Sequence, residues 1–536
     1  MTRTQRYTLA ATGLGLFMIF LDALIVNVAL PSIQRDFGVG ESGLQWVVTA
    51  YSLGMAVAIM SAGTLADMFG RKRLYLAGIA LFTASSIGCG LAPSLDILNA
   101  SRAIQGVAAA TVNVTSLALV SAAFADPKQK AWAIGIWTAI ASTAMAIGPT
   151  LGGFLVQHGG WRLIFHVNVP VGLVVLFLTA RFVQESRDGR TRRFDVPGQL
   201  LFVVAVGALA YAVIEGPRSG WGSPEILGLF VVTAAALVGF VLVERKSSDP
   251  MMDLTLFRDR TYSLAIVTIF TVLFAVYGML LVITQYLQNV RGFSPTQAGL
   301  LLLPYSVTCT LVSLRAGKLT GIVGSRRLIL AGLVSQMLGF SVLIAGMGWS
   351  TPVVVLGLVF SSLGSSLCLT PITTLAMTAV PPERAGMASG IMSAQRALGS
   401  TVGFAVLGSV LAASLTATLA AHLARALPDP VERREVADTI IGNANPRAYT
   451  AEIGPGRPID HMDPATRAAI LAAADVDFVE GIRRSLVTAI VLLALVFAFG
   501  FAGFPRGRGG LADAQREAHA LRGEESTRAG SDGALA

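Results

Sequence analysis

Long apolar stretches separated by short polar and basic connections make up most of the chain. A bilayer core about 30 Å thick takes about 20 helical residues to cross. Fourteen runs meet or approach that length: roughly 9–31, 44–65, 74–92, 95–123, 131–156, 163–183, 198–214, 226–243, 261–285, 296–315, 327–347, 352–378, 390–418 and 485–504. The first run holds Asp22 and Asn27 and shows no small-residue cleavage site, so it reads as a retained span and not as a cleaved signal peptide. The pattern predicts an all-α integral membrane protein with fourteen transmembrane helices.

Charge orients the chain. Basic residues cluster on alternate connections: Arg3 and Arg6, then Arg71, Lys72 and Arg73, then Lys128 and Lys130. The same side carries Arg187–Arg193, Arg245 and Lys246, Arg326 and Arg327, and Arg384; the other short connections carry only Arg35, Arg162, Arg218 and Arg291. This asymmetry predicts cytoplasmic N- and C-termini. The composition agrees, with 54% hydrophobic and 13% charged residues, against about 25% charged in soluble domains. The net charge of +9 is therefore topological, and no nucleic-acid partner is expected. Cys89, Cys309 and Cys368 stand far apart in apolar runs, which fits buried thiols and neither a disulfide framework nor a metal site.

A second level of order is an internal repeat. Gly63, Leu65, Gly70, Lys72 and Arg73 recur at an offset of 254 as Gly317, Leu319, Gly324, Arg326 and Arg327. Gly135, Gly148 and Gly153 recur as Gly390, Gly403 and Gly408. Runs one to six therefore repeat as runs nine to fourteen, around a central insertion. The expected units are a six-helix bundle over 1–183, a linker with two inserted helices over 184–260, and a second bundle over 261–504. An extracellular loop over 419–484 is predicted within the second bundle. In it, Val431–Ile441 reads as a short helix, and Asp463-Pro464 opens another towards Val479. A disordered cytoplasmic tail is predicted over 505–536. Two related bundles with a cavity between them suit alternating access.

Five motifs stand in order. They are Leu21-Asp22-x-x-Ile25-Val26-Asn27-Val28-Ala29-Leu30-Pro31 and Gly63-x-Leu65-Ala66-Asp67-x-x-Gly70-Arg71-Lys72, then Arg102-x-x-Gln105-Gly106 and Gly148-Pro149-x-x-Gly152-Gly153, and last Trp161-Arg162-x-Ile164-Phe165-x-x-Asn168-Val169-Pro170. With them the chain resembles the major facilitator superfamily, and within it the fourteen-helix drug:proton antiporters of the EmrB/QacA type. The resemblance implies a major-facilitator fold of two six-helix bundles plus two inserted central helices. It also implies a proton-driven exporter of lipophilic small molecules in a bacterial cell membrane, not an enzyme, with no cofactor beyond the proton gradient. The arginine-rich composition fits a GC-rich genome such as that of an actinobacterium.

Particular residues carry these expectations, each with a plainer reading beside it. Asp22 is a carboxylate near the middle of a span and needs a partner, for which Arg102 is the candidate; the pair is either the proton-coupling site or a permanent tether between helices. Gly63, Asp67, Gly70 and Arg71 form either a conformational switch or a simple turn with topogenic charge. The second copy has Gly321 in place of Asp67, so such a switch is one-sided. Gly148, Pro149, Gly152 and Gly153 either seal an antiporter against leak, as the resemblance implies, or only pack helices. Asn27, Asn113 and Gln285 are expected to line the cavity or to bond between helices. Arg396 reads as buried or as interfacial. With only one acid deep in a span, the cavity is expected to take neutral, zwitterionic or singly charged molecules. No Walker A loop, zinc-binding His-Glu-x-x-His, Gly-x-Ser-x-Gly elbow or dinucleotide fingerprint occurs. Rival readings are a same-fold exporter of a lipid, siderophore or self-made metabolite, a transport-inactive sensor, and a membrane acyltransferase. Accessory proteins are not readable from the sequence.

Overall fold

The structure is a computed structural model that describes residues 1–504 apart from 125, 187–194, 248–251, 253, 349, 381–384, 425–426, 428 and most of 431–463. The predicted tail over 505–536, the basic residues Arg187–Arg193 and Arg384, and the Asp463 cap lie outside the described residues.

Every described element is helical, and besides the α-helices a 3-10 turn spans Leu254–Arg258 and a π-helical turn Tyr286–Val290. In chain order the α-helices are α1 (Arg3–Phe37), α2 (Glu41–Phe69), α3 (Arg71–Gly90), α4 (Leu95–Ala123), α5 (Pro127–Gly159), α6 (Leu163–His166), α7 (Asn168–Phe182), α8 (Val196–Ser219), α9 (Pro224–Lys246), α10 (Arg260–Gln285), α11 (Pro295–Val323), α12 (Ser325–Gly346), α13 (Thr351–Thr378), α14 (Ala385–Leu423) and α15 (Pro464–Gly503). Short α6 and α7 make one span, broken at Val167. Thirteen spans are long and apolar enough to cross a membrane among the described residues. The 33-residue α5 is the fourteenth membrane-length helix.

Local chemistry sets the helix starts. Thr2 and Gln5 form a reciprocal cap on α1, and Ser294 and Gln297 do the same for α11, with Pro295 at its first position. The repeat is visible in the turns. Gly38 and Gly292 both close turns at positive φ, 63° and 69°. Gly70 and Gly324 do so again at 100° and 91°, each ending one helix and starting the next. Both pairs keep the offset of 254. Only glycine enters this backbone region without strain.

One predicted boundary moves. The loop expected over 419–484 is shorter, because α14 runs to Leu423 and α15 starts at Pro464. Ile470, Ala474, Phe478 and Ile482 recur every four residues and are all buried. That stripe makes an amphipathic extension of the last span, which an uninterrupted-apolar criterion misses. Leu419, Leu423 and Leu427 pack with Ile470 and Ala474, and with Val436, Ala437 and Ile440 of the segment expected to be helical. The rest of Val431–Ile441 lies outside the described residues.

The face carrying residue 3 and the α2–α3 turn is called here the N-terminal face, and the opposite one the far face. The two halves meet along α5 against α11 and α2 against α14. The inserted α8 lies across the second seam: Gln199 donates to the Val57 carbonyl of α2 at 2.7 Å, and Ser409 of α14 donates to the Val213 carbonyl of α8 at 2.5 Å.

Candidate functional site: a buried ion-pair network beside a cavity between the halves

α1 and α4 bring Asp22 and Arg102 together. Arg102 Nη1 donates to Asp22 Oδ2 at 2.5 Å, with the two side chains 1% and 0% exposed. The other carboxylate oxygen accepts from Gln105 Nε2 at 3.1 Å and from Asn168 Nδ2 at 2.8 Å. Arg102 also donates to Gln105 Oε1 at 2.7 Å and, through Nε, to the Val47 carbonyl at 3.2 Å. Its guanidinium lies 4.3 Å from the centroid of the Tyr51 ring. Ser86 accepts from Gln105 and Asn168 and donates to the Phe165 carbonyl at 2.9 Å. Five spans thus converge on one buried carboxylate. The break at Val167 places Asn168 at the first position of α7, where its amide reaches Asp22.

Gln105 and Asn168 were visible in sequence only as motif letters or generic interhelical groups. Ser86 and Tyr51 carried no signal, because hydroxyl residues are frequent in membrane helices. Buried polar groups gain most when every member is satisfied, and the full set of bonds around Asp22 meets that condition.

The helix-five motif crosses the other half at close range. A Cβ on Gly153 would strike the Pro295 carbonyl, and a Cβ on Gly299 would strike the Pro149 carbonyl. Thr150 donates to the Gly299 carbonyl at 3.3 Å. Gly152 faces Ile25 of α1, where a Cβ would come within 2.6 Å of its side chain. Gly148 is looser, with Leu24 at 3.4 Å. Gly408 of α14 packs on Gln45 of α2, and Gln288 donates to the Val28 carbonyl at 2.9 Å. These contacts lie in the far half of the molecule and press the two bundles together there.

Below them lies a small cavity of about 50 Å³. Leu24 and Pro149 line it from the first half, and Leu280, Leu302 and Leu369 from the second. Its polar atoms come from Tyr277, Tyr305, Ser306, Cys309 and Ser365. Asn27 is buried and donates to the carbonyls of Ala23 and Leu24 on its own helix. Gln285 is fully buried, and Asn113 is half-buried on α4. The cavity wall is formed by other residues than these three.

At the N-terminal face, Gly70 turns α2 into α3. Glu185, just past α7, accepts from the backbone N–H groups of Lys72 at 2.9 Å and Arg73 at 3.2 Å. Its carboxylate therefore caps the positive end of α3. The Arg71 N–H donates to the Ser186 carbonyl at 3.1 Å. A Cβ on Gly70 would lie 2.8 Å from the Glu185 carboxyl and displace it, and the positive φ of 100° favours glycine on its own account. Asp67 lies within the last turn of α2 and not in the turn proper. Gly63 has open space, its nearest neighbour being Val114 at 3.9 Å. Glu185 escaped the sequence reading because an acid in a basic loop carries no positional signal.

At the far face, Asp36 accepts from Trp161 at 3.0 Å and from Arg162 at 2.7 Å. Burial pushes its carboxyl up, but those two hydrogen bonds and the Arg162 charge outweigh that and hold it below the usual range.

Comparison with known proteins agrees with this architecture. "Multidrug resistance protein Stp" of Mycobacterium tuberculosis is 62% identical over 506 residues, covering 94% of this chain and 93% of its own. "Drug efflux pump JefA" of the same species is 43% identical over 507 residues, covering 94% and 99%. Among solved structures, a bacterial homologue of the human lysosomal transporter Spinster, inward-facing and unoccupied, superposes with a TM-score of 0.62 at 16% identity, over 96% of this chain and 99% of that one. The family model of the Major Facilitator Superfamily matches residues 12–404, and the chain is a multi-pass membrane protein belonging to that superfamily.

Proposed function

We propose that the protein is a proton-driven exporter of lipophilic small molecules in a bacterial plasma membrane, with both termini in the cytoplasm. The positive-inside distribution supports the orientation. It makes the N-terminal face cytoplasmic and the tight α5–α11 crossing an external seal. The names of the two mycobacterial relatives support drug efflux.

One observation carries the coupling: a carboxylate with no solvent exposure sits on α1 two residues from the cavity wall, facing the first bundle through Asp22 and the cavity through Leu24. Protonation of Asp22 would release Arg102, Gln105 and Asn168 together and loosen five spans at once. A proton gained from outside would let the empty carrier reorient, and its loss to the cytoplasm would re-form the network as cargo loads. One charge crossing 100 mV supplies about 2.3 kcal/mol, on top of any pH gradient. Asp22 with Arg102 is the coupling pair. Gly63, Asp67, Gly70 and Arg71 form the cytoplasmic switch, with Glu185 added to it. Gly148, Pro149, Gly152 and Gly153 form the seal. Asn27, Asn113 and Gln285 are assigned to the cavity's other conformations.

The test is a drug-susceptibility panel in cells with and without the gene, repeated with an uncoupler. The expected result is raised tolerance to several lipophilic compounds, abolished by the uncoupler. Tolerance that survives collapse of the proton gradient overturns the coupling, and unchanged tolerance to every compound overturns the exporter.

A further inference from the structure

Arg102 and Arg396, two of the arginines within the helices, stand in opposite circumstances. Arg102 is closed off, with its donors directed at Asp22, Gln105 and the Val47 carbonyl. Arg396 on α14 is solvent-accessible, although it lies well inside the helix and against Thr373 of α13. That combination fits a side chain lining a cleft between helices. It does not fit one snorkelling to lipid, which was the interfacial alternative. Among the described residues its guanidinium makes one hydrogen bond, to Thr373 Oγ1 at 2.8 Å, and pairs with no carboxylate.

Its position is informative. Arg396 lies eleven residues into α14, about 16 Å from the helix start at 1.5 Å per residue. Ser365 and Leu369 of α13 line the cavity, and Thr373 is one turn further towards the N-terminal face. The phenol of Tyr277, also on the cavity wall, is within electrostatic reach of Arg396. Arg396 therefore stands on the cytoplasmic side of a pocket whose lining, as described above, carries hydroxyls and a thiol but no charge. A cation kept so deep, with no carboxylate paired to it among the described residues, is costly. Its planar fork of donors, used once, matches a carboxylate or a similar pair of anionic oxygens.

We propose that Arg396 recognises an acidic group on the cargo, so that the pocket selects amphipathic molecules bearing one carboxylate or comparable anionic oxygen on an apolar body. The acid would pair with Arg396, and the apolar part would fill the space between Leu24, Leu280 and Leu302. The inference rests on the exporter reading in taking this cavity as the transport route.

The test uses rhodamine B, which carries a free carboxylate, and its ethyl ester, which lacks that charge on the same ring system. Binding of each dye to the purified full-length protein in detergent is read by fluorescence anisotropy. The wild type is expected to prefer the acid. Arg396→Gln is expected to bind the acid about tenfold more weakly, the loss expected of one charge-assisted contact, and the ester within about twofold of wild type. Arg396→Lys keeps the charge and should retain most of the preference. Equal loss for both dyes, absence of acid binding, or no loss in Arg396→Gln each overturns the proposal. Energised proteoliposomes then separate the two readings. Acid-selective binding without proton-driven accumulation sinks the exporter and leaves the binding site. Equal export of both dyes by wild type and Arg396→Gln keeps the exporter and sinks the site.

Discussion

Replacing Asp22 by asparagine removes one charge from a set of bonds that leaves little room for adjustment. The carboxylate accepts three hydrogen bonds: Arg102 on one oxygen, Gln105 and Asn168 on the other. An asparagine offers one acceptor oxygen and one NH₂. If the NH₂ faces Arg102, two donors meet where a 2.5 Å ion pair stood. If it faces the other way, it meets the amides of Gln105 and Asn168. Turning those amides over then costs their bonds to Ser86. In either arrangement Arg102, 1% exposed, loses its counter-charge. Breaking one side of a buried pair costs about 3–5 kcal/mol. At roughly 2–4 °C per kcal/mol for a bundle of this size, the melting temperature in detergent should fall by about 6–20 °C. Asp22→Asn with Arg102→Gln removes both charges and should recover much of that loss. In sealed vesicles both variants should bind cargo and show no uptake driven by a pH gradient, while Asp22→Glu should keep partial activity with a shifted pH optimum. Pairing and proton carriage then separate: recovered stability without recovered coupling means that the carboxylate moves the proton. Normal pH-driven accumulation by Asp22→Asn would refute the coupling role and make the pair a tether.

Further outcomes follow from the other contacts. Gly153→Val places a branched side chain against the Pro295 carbonyl and should hold the far-face seal open; cysteine-accessibility labelling from outside should rise while drug export falls at least tenfold, and unchanged labelling would show that the crossing yields. Glu185→Gln weakens the cap on α3 and should lower maximal transport rate several-fold with little change in cargo affinity, whereas Asp67→Asn with no effect would move the cytoplasmic switch wholly to Glu185. Asp36 is held below the ordinary carboxylate value of 3.8, so its contribution is present above that value and is lost as pH falls towards the lower folded-state value. The melting temperature of Asp36→Asn should therefore lie slightly below wild type at pH 7 and converge with it under strong acid; a gap that persists there would show that charge is not what Asp36 contributes.

What the sequence disclosed depends on whether a residue is an exception in its surroundings. Asp22 and Arg102 were legible because a charge in an apolar run is improbable without a reason, and two such exceptions suggest each other. Gly70 was legible because it recurs as Gly324, and the positive φ angles at both give that recurrence its cause; Gly38 and Gly292 share the geometry, but the sequence reading did not pair them. Glu185 was hidden because acids are ordinary in a polar loop, and only the fold sets it against the start of α3. The unbroken length of α15 was hidden for a related reason: the sequence opens a helix at Asp463-Pro464 and sets a separate apolar run at 485–504, and one buried face every four residues does not show that the two are continuous. The cavity wall was hidden most completely. Leu24, Leu280 and Leu302 have the hydropathy of lipid-facing leucines, and what distinguishes them is which helix lies opposite.

Arg102 and Arg396 show where that limit falls. From sequence, each was a cation in a span, and partner choice decided its meaning. Asp22 supplies a partner for Arg102, and the fold spends that residue on internal cohesion and coupling. Among the described residues, Thr373 is the hydrogen-bond partner of the Arg396 guanidinium, and a hydroxyl does not neutralise it. A ligand shifts a two-state equilibrium only through contacts that differ between the states. On the readings proposed above, a donor fork with few protein partners suits cargo recognition in the second bundle, and a closed ion-pair network suits coupling in the first.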